Sequence, residues 1–218
     1  RKSGKIAISL LPGDELISVQ LTTGSDEILI GSHDGKCIRF SEKDVRCMGR
    51  DTKGVRSIDL SKDDYVIDMS VVKPDDTVIT VSSNGFGKRS SVDEYRLQSR
   101  AGKGIKAGTF NEKTGSLVGI KPVHEGEDLM MISSGGVAIR MQVDEISLIG
   151  RDTQGVKVMR LDGSEIASVA IAPHEDEEEE LPEDGEESSD GTDGASEDVS
   201  DNAENVGGEG VSEETTEE

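Results

Sequence analysis

Ser32-His33-Asp34-Gly35 returns as Ser82-Ser83-Asn84-Gly85 and again as Ser133-Ser134-Gly135-Gly136, at offsets of 50 and 51 residues. The same spacing carries Arg39 to Arg89 to Arg140, Asp44 to Glu94 to Glu145, Arg50 to Arg100 to Arg151, and Gly54 to Gly104 to Gly155. The stretch from Gly35 to Leu60 lies on Gly136 to Leu161 without a gap. Coincidence at so many positions in one register means an internal repeat, and a period of this length belongs to solenoids, propellers and related arrays. Gly4 falls at the phase of Gly54 one period earlier, so the chain opens inside a further unit and is read as a piece of a longer protein.

Each unit reads as strands. Leu16 to Leu21 alternates, Glu27 to Ile30 is a buried apolar run, and Asp34-Gly35 is a hairpin signal before the returning strand Lys36 to Phe40. The second unit repeats this with Thr77 to Val81, Asn84-Gly85 and a strand from Gly87. The third does so with Leu129 to Ile132, Gly135-Gly136 and Val137 to Met141. Further strands are expected at Tyr65 to Val72 and Leu117 to Val123. No ten-residue stretch has a helical period. Four strands in about fifty residues is the content of a propeller blade, and a blade buries its faces only by stacking on its neighbours. With no Trp in the chain, the Trp-Asp signature of one large propeller class is impossible.

Charge divides the chain in two. The 218 residues carry a formal net charge of −22. From His174 to Glu218 there are 21 acidic residues and no Lys or Arg, so residues 1–172 are close to neutral and residues 173–218 form an acidic tail. Such a composition cannot bury enough apolar surface to offset its ordering entropy, and the tail is expected to be disordered. It serves either as a solubilising segment or as an intramolecular competitor for the basic surface of the blades. Aromatic residues are few (two Tyr, three Phe), so Val, Ile, Leu and Met must build the core. Cys37 and Cys47 are read as two reduced thiols of a cytosolic protein. His33, His124 and His174 have no metal-ligand spacing. No apolar run is long enough to cross a membrane, and the start has no signal-peptide pattern.

The chemistry lies in a repeated basic turn. Its cations are Arg46, Arg50, Lys53 and Arg56 in the first copy and Arg96, Arg100, Lys103 and Lys106 in the second. The third has Arg151, Lys157 and Arg160. Gly54, Gly104 and Gly155 sit among them and would let the backbone approach a phosphate closely. One such turn would be read as solvated loop charge; three in register place cations at intervals around a rim, which suits a long bent polyanion. Arg39, Arg89 and Arg140, each five residues before an acid, are expected in intra-blade ion pairs first and on DNA second. No catalytic set emerges, and no phosphate-binding loop ending in Lys-Ser/Thr is present.

Three stretches carry a family resemblance. They are Lys43 to Arg56 (KDVRCMGRDTKGVR), Asp75 to Arg89 and Glu145 to Val156. The chain resembles the C-terminal DNA-wrapping domain of the DNA gyrase A protein over residues 1–172. The resemblance implies an all-β fold, a six-bladed β-propeller variant called a β-pinwheel, of which this piece would hold about three complete blades. It implies double-stranded DNA as the ligand, wrapped around the rim so that the holoenzyme introduces negative supercoils. The implied partners are the gyrase B protein and a second copy of the A protein in an A2B2 heterotetramer. ATP and magnesium are implied for that holoenzyme, with no cofactor in this piece and no membrane. The implied location is cytoplasmic and nucleoid-associated. The family's seven-residue box, Gln-Arg-Arg-Gly-Gly-Lys-Gly, is met here as Gln98-Ser99-Arg100-Ala101-Gly102-Lys103-Gly104, a degenerate copy that departs at Ser99 and Ala101. The full box and the domain with the catalytic tyrosine are expected before Arg1, so this piece alone should not cleave DNA. The alternatives are the equivalent protein of topoisomerase IV and a propeller used as a protein-interaction scaffold.

Overall fold

The computed structural model describes residues 4–174. The acidic tail inferred from the sequence lies outside the described residues, apart from its first two positions. Among the described residues there is no α-helix; eleven strands and three short 3-10 turns follow one another. The strands are β1 (Glu27–Ser32), β2 (Lys36–Ser41), β3 (Val66–Val72), β4 (Thr77–Ser82), β5 (Phe86–Ser91), β6 (Ile105–Lys106), β7 (Leu117–Val123), β8 (Glu127–Ser133), β9 (Ala138–Gln142), β10 (Val156–Lys157) and β11 (Ile166–Pro173). They form three antiparallel sheets in the orders β3-β1-β2-β6, β7-β4-β5-β10 and β11-β8-β9.

The hairpins form where the sequence places them. In each, the glycine amide donates to the carbonyl three residues back, Gly35 to Ser32 at 2.9 Å and Gly85 to Ser82 at 3.0 Å. Gly35 takes φ +81° and Gly85 φ +78°. Three turn residues with a left-handed glycine at the third position close a right-twisted hairpin without strain. The strand count per sheet is also as expected for the first two sheets, but a blade is not one repeat. A unit running from β1 to β3 gives three strands to its own sheet. The fourth, β6, is lent by the next unit, and β10 is lent in the same way to the second sheet.

The same lending corrects one expected strand. Leu16 to Leu21 is not a strand, and its apolar side chains are open to solvent, Leu21 at 96 %. By repeat position it corresponds to β3, which forms by pairing with β1 of its own unit. No hairpin among the described residues pairs with residues 16–21. A strand outside a ladder has nowhere to place its backbone hydrogen bonds, so an alternating pattern alone does not fix it.

The core lies between successive sheets. Leu29, Cys37 and Val72 of the first pack against Val78, Leu117 and Ile120 of the second, together with Tyr95. Ile79, Val81 and Val123 of the second pack against Leu129, Met131 and Ile166 of the third. Gly31 belongs to the contact of the first sheet with the second, since a Cβ there would stand 2.4 Å from Ile120 Cγ2. Strands β3, β7 and β11 pack side by side as the inner edges of the three sheets, which leaves β6 and β10 as the outer edges.

Candidate nucleic-acid interface

The path from hairpin to basic turn is the same in each unit. After β2, β5 and β9 the chain makes a 3-10 turn, at Glu42–Asp44, Val92–Glu94 and Val143–Glu145. Ser41 and Ser91 cap the first two through their hydroxyl oxygens, which accept from the amides two residues on. The chain then runs along the outer strand of the preceding unit. The Gln98 amide donates to Arg39 carbonyl at 2.8 Å, and the Ile149 amide donates to Arg89 carbonyl at 2.9 Å. Parallel bridges join Arg39 to Leu97 and Arg89 to Leu148. The segment ends as β6 on β2 and as β10 on β5. The basic turns of the second and third units are therefore stitched to the blade before them.

Of the three arginines expected in intra-blade ion pairs, Arg39 and Arg140 form them, though not with the acids five residues on, and Arg89 does not. Arg39 Nε donates to Glu27 across its own hairpin at 2.5 Å, and Arg140 Nε to Asp128 at 2.6 Å. The residue at this place in the second unit is Thr77, which carries no charge. Arg89 turns instead to the next unit, with Nη1 2.9 Å from Asp144 Oδ1 and Nε donating to Ile146 carbonyl at 2.8 Å. Arg39 Nη1 likewise donates to the carbonyls of Val92 and Tyr95. The cross-hairpin carboxylate and the next unit's 3-10 turn occupy these guanidiniums because both lie within reach of the outer strand, whereas an acid at i+5 has already turned past it.

The cations of the basic turns separate into two groups. Arg100 and Arg151 are half-buried and act on protein. Arg100 Nε donates to Asp44 carbonyl at 3.3 Å and its Nη1 to Arg56 carbonyl. Arg151 Nε donates to Glu94 carbonyl at 3.0 Å, its Nη1 to Lys106 carbonyl, and its amide to the Glu94 carboxylate at 2.6 Å. Arg46, Arg50, Lys53, Arg56, Arg96, Lys103, Lys106, Lys157 and Arg160 are exposed. Within this group Arg56 pairs loosely with Asp59 at 3.5 Å, and Arg96 touches Gln98 Oε1 at 3.4 Å. Lys157 Nζ donates to Asn84 carbonyl at 2.7 Å and lies 4.8 Å from the Phe86 ring centroid. The side chains of Arg46, Arg50, Lys53, Lys103, Lys106 and Arg160 have no hydrogen-bond or ion-pair partner among the described residues. Lys106 and Lys157 stand on the outer edge strands, one unit apart.

The glycines of the turn answer to packing. Gly104 has φ +67° and Gly155 φ +82°, and a Cβ would meet Cys37 carbonyl oxygen at 2.4 Å and Gly87 carbonyl oxygen at 2.6 Å. The close approach expected toward a ligand is an approach to the preceding hairpin's backbone. In the box-like stretch, Gln98, Arg100, Gly102 and Gly104 all contact the first unit, as does the Ala101 amide through the Ser57 carbonyl at 2.7 Å, while the side chains of Ser99, Ala101 and Lys103 are exposed. Ala101 holds φ +65°, a left-handed conformation that the family box fills with Gly.

One buried cation escaped the sequence reading. Lys88 is buried, and its Nζ donates to the carbonyls of Gly150, Arg151 and Thr153, the last at 2.7 Å. Burial, and then the charge of Arg151, bring its pKa down to about 8. The two equivalent positions hold Ile38 and Ile139, and this single charged copy was the available signal. Cys37 is buried too, its thiol pushed up to about 12 by burial, and neither cysteine is bonded to the other.

Four consecutive stretches, residues 1–23, 26–73, 76–124 and 127–173, match the family model described as DNA gyrase C-terminal domain, beta-propeller. The chain belongs to that family. The DNA gyrase A protein of Staphylococcus epidermidis is 46 % identical over 179 residues, covering 81 % of this chain and 20 % of that protein. Its counterpart in Ureaplasma parvum is 44 % identical over 172 residues, covering 78 % and 20 %. That of Staphylococcus aureus is 44 % identical over 185 residues, covering 84 % and 21 %. The chain thus spans about a fifth of the length of these gyrase relatives. A solved DNA gyrase A C-terminal domain superposes with a TM-score of 0.70 at 28 % identity, covering 77 % of this chain and 58 % of that one. A solved C-terminal domain of DNA topoisomerase IV gives a TM-score of 0.73 at 20 % identity, covering 77 % and 53 %, a likeness of fold alone.

Proposed function

We propose that this segment of a gyrase A protein binds and bends double-stranded DNA along the outer edges of its blades. The observation that carries the reading is the recurrence of exposed cations, Lys106 and Lys157 with their neighbours, on the edge strands opposite the packed inner strands. A phosphate backbone is a linear array of charge, and cations at one-unit intervals match it where a compact ligand would engage only one turn. In the whole protein this grip serves ATP-dependent negative supercoiling by an A2B2 assembly with the gyrase B protein, in the cytoplasm and on the nucleoid. Gyrase is preferred over topoisomerase IV because the curated relatives at 44–46 % identity are gyrase A proteins.

The contact is with phosphates and carries little base specificity, so the logarithm of affinity falls linearly with the logarithm of salt concentration, with a slope of about 0.9 per phosphate neutralised. Affinity for duplexes of unrelated sequence is to be measured across a salt series. Steep and equal slopes support the reading; retention insensitive to salt would sink it and favour a protein-binding scaffold.

A further inference from the structure

We infer that the first unit carries a divalent-cation site built from His33, Asp34 and Asp64. One potential ligand atom of each lies within 4.8 Å of the others. His33 and Asp34 occupy the tip of the β1–β2 hairpin, and Asp64 comes from the loop that enters β3. His33 Nδ1 lies 3.3 Å from Asp34 Oδ1. The His33 ring is stacked on Tyr65, with centroids 4.7 Å apart, which holds the plane of the imidazole.

Asp64 supplies an independent observation. Its Oδ1 accepts from the amides of Asp34 at 3.0 Å and Tyr65 at 2.9 Å. Its Oδ2 is buried and has no hydrogen-bond partner, on a residue only 9 % exposed. A buried carboxylate oxygen without a partner costs free energy, and a cation shared with His33 and Asp34 would neutralise that carboxylate. The neighbouring ammonium does not serve, since Lys36 Nζ donates to Ser61 Oγ at 2.8 Å.

The repeat provides an internal comparison. The amides of His33, Ser83 and Ser134 donate to the carbonyls of Tyr65, Ser116 and Glu165, which sets the three loops in register. The counterparts of His33, Asp34 and Asp64 are then Ser83, Asn84 and Gly115, and Ser134, Gly135 and Ser164. The other two copies hold no imidazole and no carboxylate at these places, so the fold does not require the set found in the first. One imidazole nitrogen with two carboxylates suits a borderline transition cation such as zinc, cobalt or nickel rather than calcium or magnesium, which favour oxygen ligands alone. Asp34 is exposed, so the remaining coordination positions are open to water. The bound ion would cross-link the hairpin tip to the β3 entry.

The test uses the full 218-residue chain, stripped with chelator and titrated with Co2+. Binding is read by equilibrium dialysis and by the ring resonances of the three histidines. One cation is expected to bind with perturbation centred on His33, against a background of weak binding by the acidic tail. His33→Gln and Asp64→Asn should each weaken the tight site roughly a hundredfold, since loss of a mere supporting partner already costs about 10–100-fold. The weak background should remain. His33→Gln, at a half-buried position on a hairpin tip, should keep the fold, and decides the outcome alone if circular dichroism finds Asp64→Asn unfolded. Equal affinity and stoichiometry in wild type and His33→Gln, or perturbation of His124 or His174 alone, would overturn the site.

Discussion

Arg151 grips Glu94 twice, its Nε donating to the Glu94 carbonyl at 3.0 Å and its backbone amide to the Glu94 carboxylate at 2.6 Å. These contacts tie the third unit's basic turn to the second unit. Charge-assisted hydrogen bonds to backbone contribute more than neutral ones, so Arg151→Ala should destabilise the domain by about 2 kcal/mol. Arg50 holds the same place in the repeat with no partner among the described residues, and Arg50→Ala should change stability by less than about 0.5 kcal/mol. Urea denaturation of the two variants separates these roles. Equal midpoints would mean that the Arg151 guanidinium contributes nothing.

DNA contact falls, on this view, to the exposed cations. Replacing Lys53, Lys103 and Lys106 together by Ala should lower the slope of log affinity against log salt by about 2.7 in magnitude, at about 0.9 per lost phosphate contact. Thermal stability should hold, because none of the three has a side-chain partner among the described residues. The salt series is run on wild type and the triple variant side by side. An unchanged slope would remove these lysines from the interface.

Much of this arrangement was legible in the sequence because it depends on repetition. Hairpins follow from left-handed glycines at fixed offsets, and the inner strands from apolar runs at the same offsets. The lent strands β6 and β10 are two residues long, and two residues carry no period. Leu16 to Leu21 has the pattern of β3, but only pairing with a hairpin makes such a pattern a strand. The division of the basic turn was hidden for a different reason. A guanidinium satisfies backbone carbonyls as readily as phosphates, and which it meets depends on how closely the previous unit approaches. Arg100 and Arg50 are therefore the same letter in the repeat with different work.

Ala101 offers a test of strain in the box-like stretch. Its φ of +65° costs a residue with a Cβ about 1–2 kcal/mol, part of which Gly forfeits through the greater freedom of the unfolded chain. Ala101→Gly should stabilise the domain by about 0.5–1 kcal/mol. The opposite exchange at Gly104 should be strongly destabilising, since a Cβ would lie 2.4 Å from the Cys37 carbonyl oxygen. Melting temperatures that moved the same way for both variants would contradict this backbone geometry.

Lys88 makes a pH signature. Its folded pKa of about 8 lies below the ordinary 10.5, because burial and the Arg151 charge disfavour the ammonium. Between those two values the unfolded chain binds more protons at this site than the folded one, so the Lys88 contribution to stability rises with pH across the window and is level below it. Lys88→Ile, the residue of the equivalent positions, removes that titration and also leaves the carbonyls of Gly150, Arg151 and Thr153 without this donor. The variant should be less stable than wild type at about pH 7 by about 1 kcal/mol, the net contribution of such a hydrogen bond to half-buried carbonyls. The gap should widen as pH rises from about 8 to 10.5, because only wild type gains from the release of the proton. Urea midpoints for the two proteins at several pH values provide the measurement, and the difference between them cancels the titration of every other group. A gap that stays constant through this window would mean that Lys88 keeps an ordinary ammonium pKa beneath the turn.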